Sequence, residues 1–182
     1  MFNDGRSKRV VFIAHCLLNQ NSISDGTAVY PAAFRSIIDF FLNADIEIVQ
    51  MPCPEFCCLG LDRGNINGAY SPITLENTRI RREMKKCNAD KILSLLVDHV
   101  MQQIFEYHEY GFEIAAIIGV NRSPSCGIET TSDYDMEIDG MGLFMEKIFE
   151  RLSLKKISIP MIGVKSIDDI DKKFDFIKSV VR

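Results

Sequence analysis

Short apolar runs alternate along this chain with longer segments in which apolar residues recur every three or four positions. The runs predict four β-strands, at residues 10–15, 46–51, 113–120 and 157–164. The amphipathic segments predict helices at residues 31–43, 73–86, 89–110 and 141–152, with a last helix opened by Ser166. Strands that alternate with helices favour a parallel sheet.

Local signals indicate where these elements begin and end. Pro31 suits the first turn of the first helix, and Asn88 and Gly111 are expected to cap the two ends of the longest one. Residues 52–72 are rich in Gly, Asn and Pro, which predicts a long loop outside the core that is long enough to be functional. The apolar stripe of the longest helix consists of Leu93, Val97, Val100 and Ile104.

The alternation predicts a single α/β domain over residues 1–182. We expect a mainly parallel sheet with helices on both faces, of the Rossmann-like or flavodoxin-like type. Residues 113–120 are nearly all apolar, as in a central parallel strand that is covered on both faces. The Gly-rich dinucleotide fingerprint and the P-loop are both missing from the sequence, which disfavours nucleotide binding.

Composition narrows the class of partner. The chain has 21 Lys and Arg against 25 Asp and Glu, a formal charge of -4, so nothing suggests binding to nucleic acid or to an anionic membrane. The amino terminus lacks the pattern of a signal peptide, and no apolar segment approaches the length of a membrane span. We therefore expect a cytoplasmic protein whose partner is a small molecule.

Three of the six cysteines directly follow predicted strands: Cys16, Cys53 and Cys126. Loops at the carboxyl ends of parallel strands line one crevice, so these thiols are expected to meet there. Cytosolic thiols stay reduced, which favours metal binding or catalysis over disulfides. Thiolates are soft ligands that suit an iron–sulfur cluster or zinc, and three of them leave one coordination position open.

The alternative is that these cysteines only pack in the core, because free cysteine also behaves as a small buried hydrophobe. The spacing in C-P-E-F-C-C does not choose a ligand among Cys53, Cys57 and Cys58. The adjacent pair is either a packed cysteine with a spare thiol or a sulfur relay beside a cluster.

Other polar residues near the cysteines are candidates for catalysis. Glu55 is the best-placed carboxylate for acid–base work, although an exposed glutamate is the ordinary alternative. Ser123 and Ser125 flank a proline and could donate hydrogen bonds to a cluster or substrate, or simply form a turn. The Asp-Gly pair at 25–26 is predicted to form a turn, with a role in the site as the second interpretation.

The three histidines carry weaker signals. His15 precedes Cys16 and, by strand alternation, should face away from it. His99 and His108 lie off the apolar stripe of the longest helix, where solvent exposure is expected rather than metal binding.

The cysteines stand in motifs that resemble those of the TudS-type thiouracil desulfidases. The family's first motif reads like C-L-L-G followed by a D-G pair, and residues 16–19 read C-L-L-N with D-G at 25–26. Its C-P-E motif is intact at 53–55, and its S-P-S-C-G motif is intact at 123–127. The order of the motifs and their positions after successive strands agree with the family over most of residues 10–131.

The resemblance implies an iron–sulfur enzyme that replaces the thiocarbonyl sulfur of a small molecule by oxygen and releases sulfide. By motif match, Cys16, Cys53 and Cys126 inherit the role of ligands to a [4Fe–4S] cluster whose fourth iron has no protein ligand. Glu55 would then help water attack the thiocarbonyl carbon, with Ser123 as a second catalytic residue. No flavin or nicotinamide is implied, because the reaction is not redox chemistry.

The chain departs from the family in two loops that are expected to shape the pocket. Ser22 stands where the family often has a second cysteine, and residues 56–61 read F-C-C-L-G-L where a Gly-Gly-Leu segment is usual. A thiouracil-like substrate is thus expected by resemblance only. The alternatives are a zinc-thiolate hydrolase and a non-enzymatic sulfur or redox sensor or carrier, in which Cys57 and Cys58 hold the transferable sulfur.

Overall fold

A four-stranded parallel sheet forms the centre of the protein in a computed structural model, which describes residues 2–165 and, beyond them, residues 173, 177 and 179. Its strands are β1 (Arg9–Ile13), β2 (Glu47–Gln50), β3 (Glu113–Val120) and β6 (Met161–Val164), and β4 (Thr130–Asp133) pairs with β5 (Met136–Asp139) in a separate antiparallel hairpin. The helices are α1 (His15–Leu18), α2 (Arg35–Asn43), α3 (Pro54–Leu59), α4 (Ile73–Met84), α5 (Cys87–Glu109) and α6 (Leu143–Leu154).

The strand order in the sheet is β2-β1-β3-β6, and its pairs are all parallel. The chain passes from β1 to β2 on one side and then returns to β3 on the other side of β1, so the direction of winding switches at β1. Val10, Val11, Phe12 and Ile13 of this strand are completely buried. The predicted α/β class with a parallel sheet flanked by helices is confirmed, and the switch point places a crevice beyond the carboxyl ends of β1 and β3.

The long helix α5 packs as its sequence predicts. All four residues of its predicted stripe are buried, while His99 and His108 are exposed. Gly111 follows its C-terminal end with a φ of +73°, and its N–H donates to the carbonyl of His108. The predicted cap at Asn88 is wrong: the helix begins at Cys87 with Lys86 in the N-cap position, because α5 starts almost directly after α4 ends.

The first predicted helix begins later than its sequence suggests. It starts at Arg35 rather than near Pro31. The segment before it is bonded to the turn after β1 instead, since Gln20 N–H donates to the carbonyl of Ala32 (2.7 Å) and Phe34 N–H donates to the carbonyl of Leu17 (2.9 Å). These tertiary hydrogen bonds hold the proline segment outside the helix.

The predicted loop at 52–72 contains a helix, so the expectation that it lies outside the core is wrong. Pro54 occupies the first turn of α3, where its fixed φ and missing N–H are no handicap. Cys53, Pro54 and Glu55 are buried, and α3 packs against α5. A short 3-10 turn, Gly68–Tyr70, follows in the same segment.

Two further elements differ from prediction. The β4–β5 hairpin was not predicted: its turn residues Tyr134 and Asp135 both have positive φ, yet they lack the Asn-Gly signature of such turns. The strand predicted at 157–164 is shorter, because pairing with β3 begins only at Met161, after Pro160. The helix predicted from Ser166 lies outside the described residues. None of the helices among residues 2–165 combines the length and apolar character needed to cross a bilayer.

Candidate functional site

The loops that follow β1, β2 and β3 meet around one cavity at the carboxyl end of the sheet. Cys16, Cys53 and Cys126 all line it, as the topological argument predicts. Glu55 and Ser123 line it as well, so all five predicted site residues come together.

Backbone structure near each strand end sets the first two thiols in place. Cys16 is the second residue of α1, which begins two residues after β1 and leaves the side chain half-buried. Cys53 is the N-cap of α3, and its Sγ accepts a hydrogen bond from Phe56 N–H at 3.5 Å. The Arg63 Nη2 donor lies 3.7 Å from the same sulfur.

The S-P-S-C-G segment forms a tight loop that fixes the third thiol. Ser123 Oγ accepts from the backbone N–H of Cys126 (3.0 Å), and the Cys126 carbonyl accepts from Val120 N–H (2.8 Å) at the end of β3. Gly127 is required sterically, because a Cβ there would lie 2.1 Å from the Thr130 carbonyl oxygen. The pentapeptide is therefore a geometric unit as well as a chemical one.

Two helices hold this loop from outside. Leu143 and Phe144 N–H groups, in the first turn of α6, donate to the carbonyls of Pro124 and Ser125, both at 3.0 Å. From α4, the buried side chain of Arg81 donates to the same Pro124 carbonyl at 3.2 Å. The loop carbonyls are thus satisfied by donors from distant sequence.

Burial dominates the acid–base behaviour of the three thiols in the absence of metal. It raises the pKa of Cys16 and Cys126 far above the ordinary value, and the pKa of Cys53 to about 12. The neighbouring thiols and the Glu55 carboxylate act in the same direction on Cys16 and Cys126. A metal that binds here must therefore displace thiol protons as its ligands become thiolates.

The carboxylate of Glu55 is the centre of a buried hydrogen-bond network. Its Oε1 accepts from Ser123 Oγ (3.1 Å) and Ser125 Oγ (2.6 Å), and its Oε2 accepts from Ser24 Oγ (3.1 Å) and Arg63 Nε (3.3 Å). Four donors fill the acceptor capacity of a carboxylate. The side chain, on a residue that is only 7% exposed, is held in a single orientation between α3 and the S-P-S-C-G loop.

Arg63 is a site residue that the sequence did not reveal. It is 2% exposed, forms a buried ion pair with Glu55, and donates to the carbonyls of Gly60, Leu61 and Ser22. An arginine in a polar, glycine-rich segment normally indicates a solvent-exposed side chain. No local pattern distinguishes it from the other arginines of the chain.

Further cavity residues also escaped sequence reasoning. Asn77, on α4, donates through Nδ2 to the Arg122 carbonyl and to Ser132 Oγ, both at 3.2 Å. Arg122 itself lines the cavity directly before Ser123, and Ser24 contributes the donor to Glu55 named above. Proximity to S-P-S-C-G is the one signal that could have singled out Arg122.

Several sequence candidates lie elsewhere. Cys57 is exposed, and Cys58 directs its thiol to the carbonyl of Ala89 on α5 at 3.4 Å, so Cys53 is the one cysteine of C-P-E-F-C-C that lines the cavity. Asp25 and Gly26 form an exposed turn, as predicted. His15 is half-buried, with Nδ1 2.5 Å from Gln50 Nε2, and burial lowers its pKa, as does the nearby Arg63 cation.

The donor set can be tested against the metal groups that the sequence suggested. Among the residues that the structure describes, no group of three or more His, Cys, Asp or Glu side chains stands as a ready-made site for a metal ion. In a [4Fe–4S] cluster each cysteine binds a different iron, so the ligands surround a cavity instead of converging on one point. Three thiols from three loops around one cavity fit a group of that kind.

Fold and site together define an α/β protein with a thiol-lined cavity at the switch point of its parallel sheet. The chain is similar to the uncharacterized protein MJ0003 of Methanocaldococcus jannaschii, with 27% identity over 158 residues that cover 86% of each chain. No family model matches the chain, and no solved structure does.

Proposed function

We propose that this protein is a cytoplasmic desulfidase of the TudS-related type, which replaces the thiocarbonyl sulfur of a small molecule by oxygen. The observation that carries the proposal is the shared cavity: three cysteines from three strand ends surround it together with a buried, fully hydrogen-bonded carboxylate. A set of packing cysteines would not need Glu55 and Arg63 buried beside it. The resemblance of the C-P-E and S-P-S-C-G motifs supplies the reaction.

Cys16, Cys53 and Cys126 would hold a [4Fe–4S] cluster. When bound, that group supplies one iron without a protein ligand, a Lewis acid for the thiocarbonyl sulfur. Arg63 Nη2, 3.7 Å from Cys53 Sγ, would then face a thiolate and stabilise its charge.

Glu55 and Ser123 provide the proton path. The lone pairs of Glu55 are taken by four donors, so a proton reaches this carboxylate through one of them. Ser125 is buried, whereas Ser123 is half-buried at the cavity wall, with Oγ 3.1 Å from Glu55 Oε1. We infer that Ser123 Oγ accepts a proton from the attacking water as it passes its own proton to Glu55.

The reaction balances without an electron carrier. The carbon–sulfur double bond breaks, a carbon–oxygen double bond forms with the oxygen of water, and both protons of water leave with the sulfur as hydrogen sulfide. Glu55 holds one of these protons between the two stages. Carbon and sulfur keep their oxidation states, so neither flavin nor nicotinamide is required.

Anaerobic reconstitution tests the ligand assignment. Wild-type protein should bind about four irons per chain, and Cys16→Ala, Cys53→Ala and Cys126→Ala should each lose most of that iron. Cys57→Ala is the matched control, because its thiol lies outside the cavity. Normal iron content in all three cavity variants would contradict the assignment, and zinc in protein purified without oxygen would indicate the zinc-thiolate hydrolase instead.

Sulfide release tests the activity. Cluster-loaded protein should release sulfide from 4-thiouracil or from another compound in a panel of small thioamides, and the three cavity variants should not. A loaded protein that turns over no member of the panel would refute the desulfidase proposal and support a sensor or carrier.

A further inference from the structure

Arg122 occupies a position at the cavity wall that no motif assigns a role. It lies between the end of β3 and Ser123, it is half-buried, and it lines the cavity that holds the three thiols. Because Arg122 and Ser123 both line it, a group that Arg122 binds there lies in the same cavity as the proposed proton path.

The backbone of Arg122 is held firmly in an uncommon conformation. Its φ is +70°, a region that residues other than glycine seldom adopt. Its N–H donates to the Thr130 carbonyl (3.0 Å), and its own carbonyl accepts from Asn77 Nδ2 (3.2 Å) and Ser132 Oγ (2.7 Å). These hydrogen bonds maintain a backbone turn that starts the side chain at the cavity wall.

The guanidinium groups of Arg122 and Arg63 differ in their partners. Arg63 has Glu55 and three carbonyls as partners. Within the described part of the chain, the Arg122 guanidinium makes neither a hydrogen bond nor an ion pair. Its charge does act on Glu137, but that carboxylate is already bonded to Lys165 Nζ (2.6 Å) and Thr130 Oγ1 (2.7 Å).

We propose that Arg122 determines substrate specificity by binding a carboxylate carried by the thiocarbonyl compound. This inference rests on the proposed desulfidase function and narrows its substrate class to small anionic thioamides or cyclic thioureides. A guanidinium presents paired N–H donors that match a carboxylate. Partial burial strengthens such a pair relative to one in open solvent, and a molecule bound by Arg122 in the cavity shares that cavity with Ser123.

The preference can be measured with oxygen analogues, which bind without reacting. Uracil and orotate differ by one carboxylate, so calorimetric titration of both into full-length, cluster-loaded protein isolates its contribution. Wild-type protein should bind orotate at least about tenfold more tightly than uracil. Arg122→Gln should bind the two equally, Arg122→Lys should keep part of the preference, and Arg82→Gln, on the exposed side of α4, should retain all of it.

Iron content separates this role from a purely electrostatic one toward the cluster. Arg122→Gln should bind as much iron as wild type, with the same visible spectrum, and a loss of iron would overturn the proposal. Equal binding of the two ligands by wild type, no binding of either at millimolar concentration, or an unchanged preference in Arg122→Gln would overturn it too.

Titration of reduced, iron-free protein distinguishes failure of this inference from failure of the proposed function. A chain that releases no sulfide but keeps an Arg122-dependent preference for orotate would refute the desulfidase and leave the carboxylate site. Sulfide release without any preference for orotate would support the desulfidase and refute the carboxylate site.

Discussion

At the scale of single residues, Glu55 is a buried carboxylate at the cavity wall that four donors hold in place. Glu55 is bonded to two serines of the S-P-S-C-G loop, to Ser24 and to Arg63. Burying a charged pair costs desolvation energy that only good geometry and further hydrogen bonds offset. A contribution to stability alone explains such a residue poorly, which is why we propose that Glu55 takes part in the reaction.

Replacing Glu55 by Gln should reduce the rate of sulfide release by about 10²–10⁴-fold, because a proton acceptor is lost. Iron content should stay at the wild-type level, since Glu55 is not a ligand. The free energy of unfolding of the variant should also fall by up to about 3 kcal/mol, because Arg63 loses its carboxylate partner. Sulfide assays and chemical denaturation measure both effects.

Glu109→Gln is the control for this change, since Glu109 is exposed at the end of α5. Its activity and stability should match wild type. Full activity in Glu55→Gln would show that the carboxylate only positions the loop.

At the level of elements, α4 and α6 support the loop that carries Cys126. The α6 N–H groups bond two loop carbonyls, and Arg81 of α4 donates to Pro124, Thr131 and Met141 while Asp133 lies 3.2 Å from its Nε. One side chain thus joins the S-P-S-C-G loop, the β4–β5 hairpin and the start of α6. The hairpin matters to the site through this connection.

Arg81→Met should therefore destabilise the fold strongly, by about 3 kcal/mol, because it leaves buried acceptors and Asp133 without their donor. Chemical denaturation of the metal-free protein measures this effect. Arg82→Met alters the exposed neighbour and should stay within about 0.5 kcal/mol of wild type. Equal stability of the two variants would mean that the loop holds its shape without α4.

At the level of the whole molecule, strand order brings the thiols together. In the order β2-β1-β3-β6, the first three strands are neighbours, and each is followed by one cysteine of the cavity. A group bound to all three cysteines would link three loops that are far apart along the chain. Since the unfolded chain offers no such cavity, binding adds to the stability of the folded state.

Loading the cluster should raise the midpoint of thermal unfolding by about 5–10 °C, which corresponds to about 2.7 kcal/mol in a chain of this size. Circular dichroism under anaerobic conditions measures the shift. Removal of iron by a chelator should reverse it, and Cys126→Ala should show no gain. An identical midpoint with and without iron would argue against a group that bridges the three loops.

Much of the fold followed from local pattern. The four strands of the sheet and the buried stripe of α5 obey periodicities that act over a few residues, so the sequence predicts them directly. Helix starts were predicted less well: Pro31 lies outside α2 and Asn88 inside α5, because hydrogen bonds to other segments and a tight junction decide those boundaries. The turn at Tyr134 and Asp135 lacked the residues that usually reveal a hairpin.

For the site, the sequence by itself determined which chemical groups follow each strand, namely Cys16, Cys53 with Glu55, and Ser123 with Cys126. Only the tertiary structure decided that α3 turns Cys57 and Cys58 away from the cavity and that Arg63 is buried against Glu55. The reason is the distance along the chain over which each kind of interaction acts. Side-chain periodicity and motif chemistry act between near neighbours, whereas a buried ion pair or a shared cavity depends on strand order and on where each helix begins.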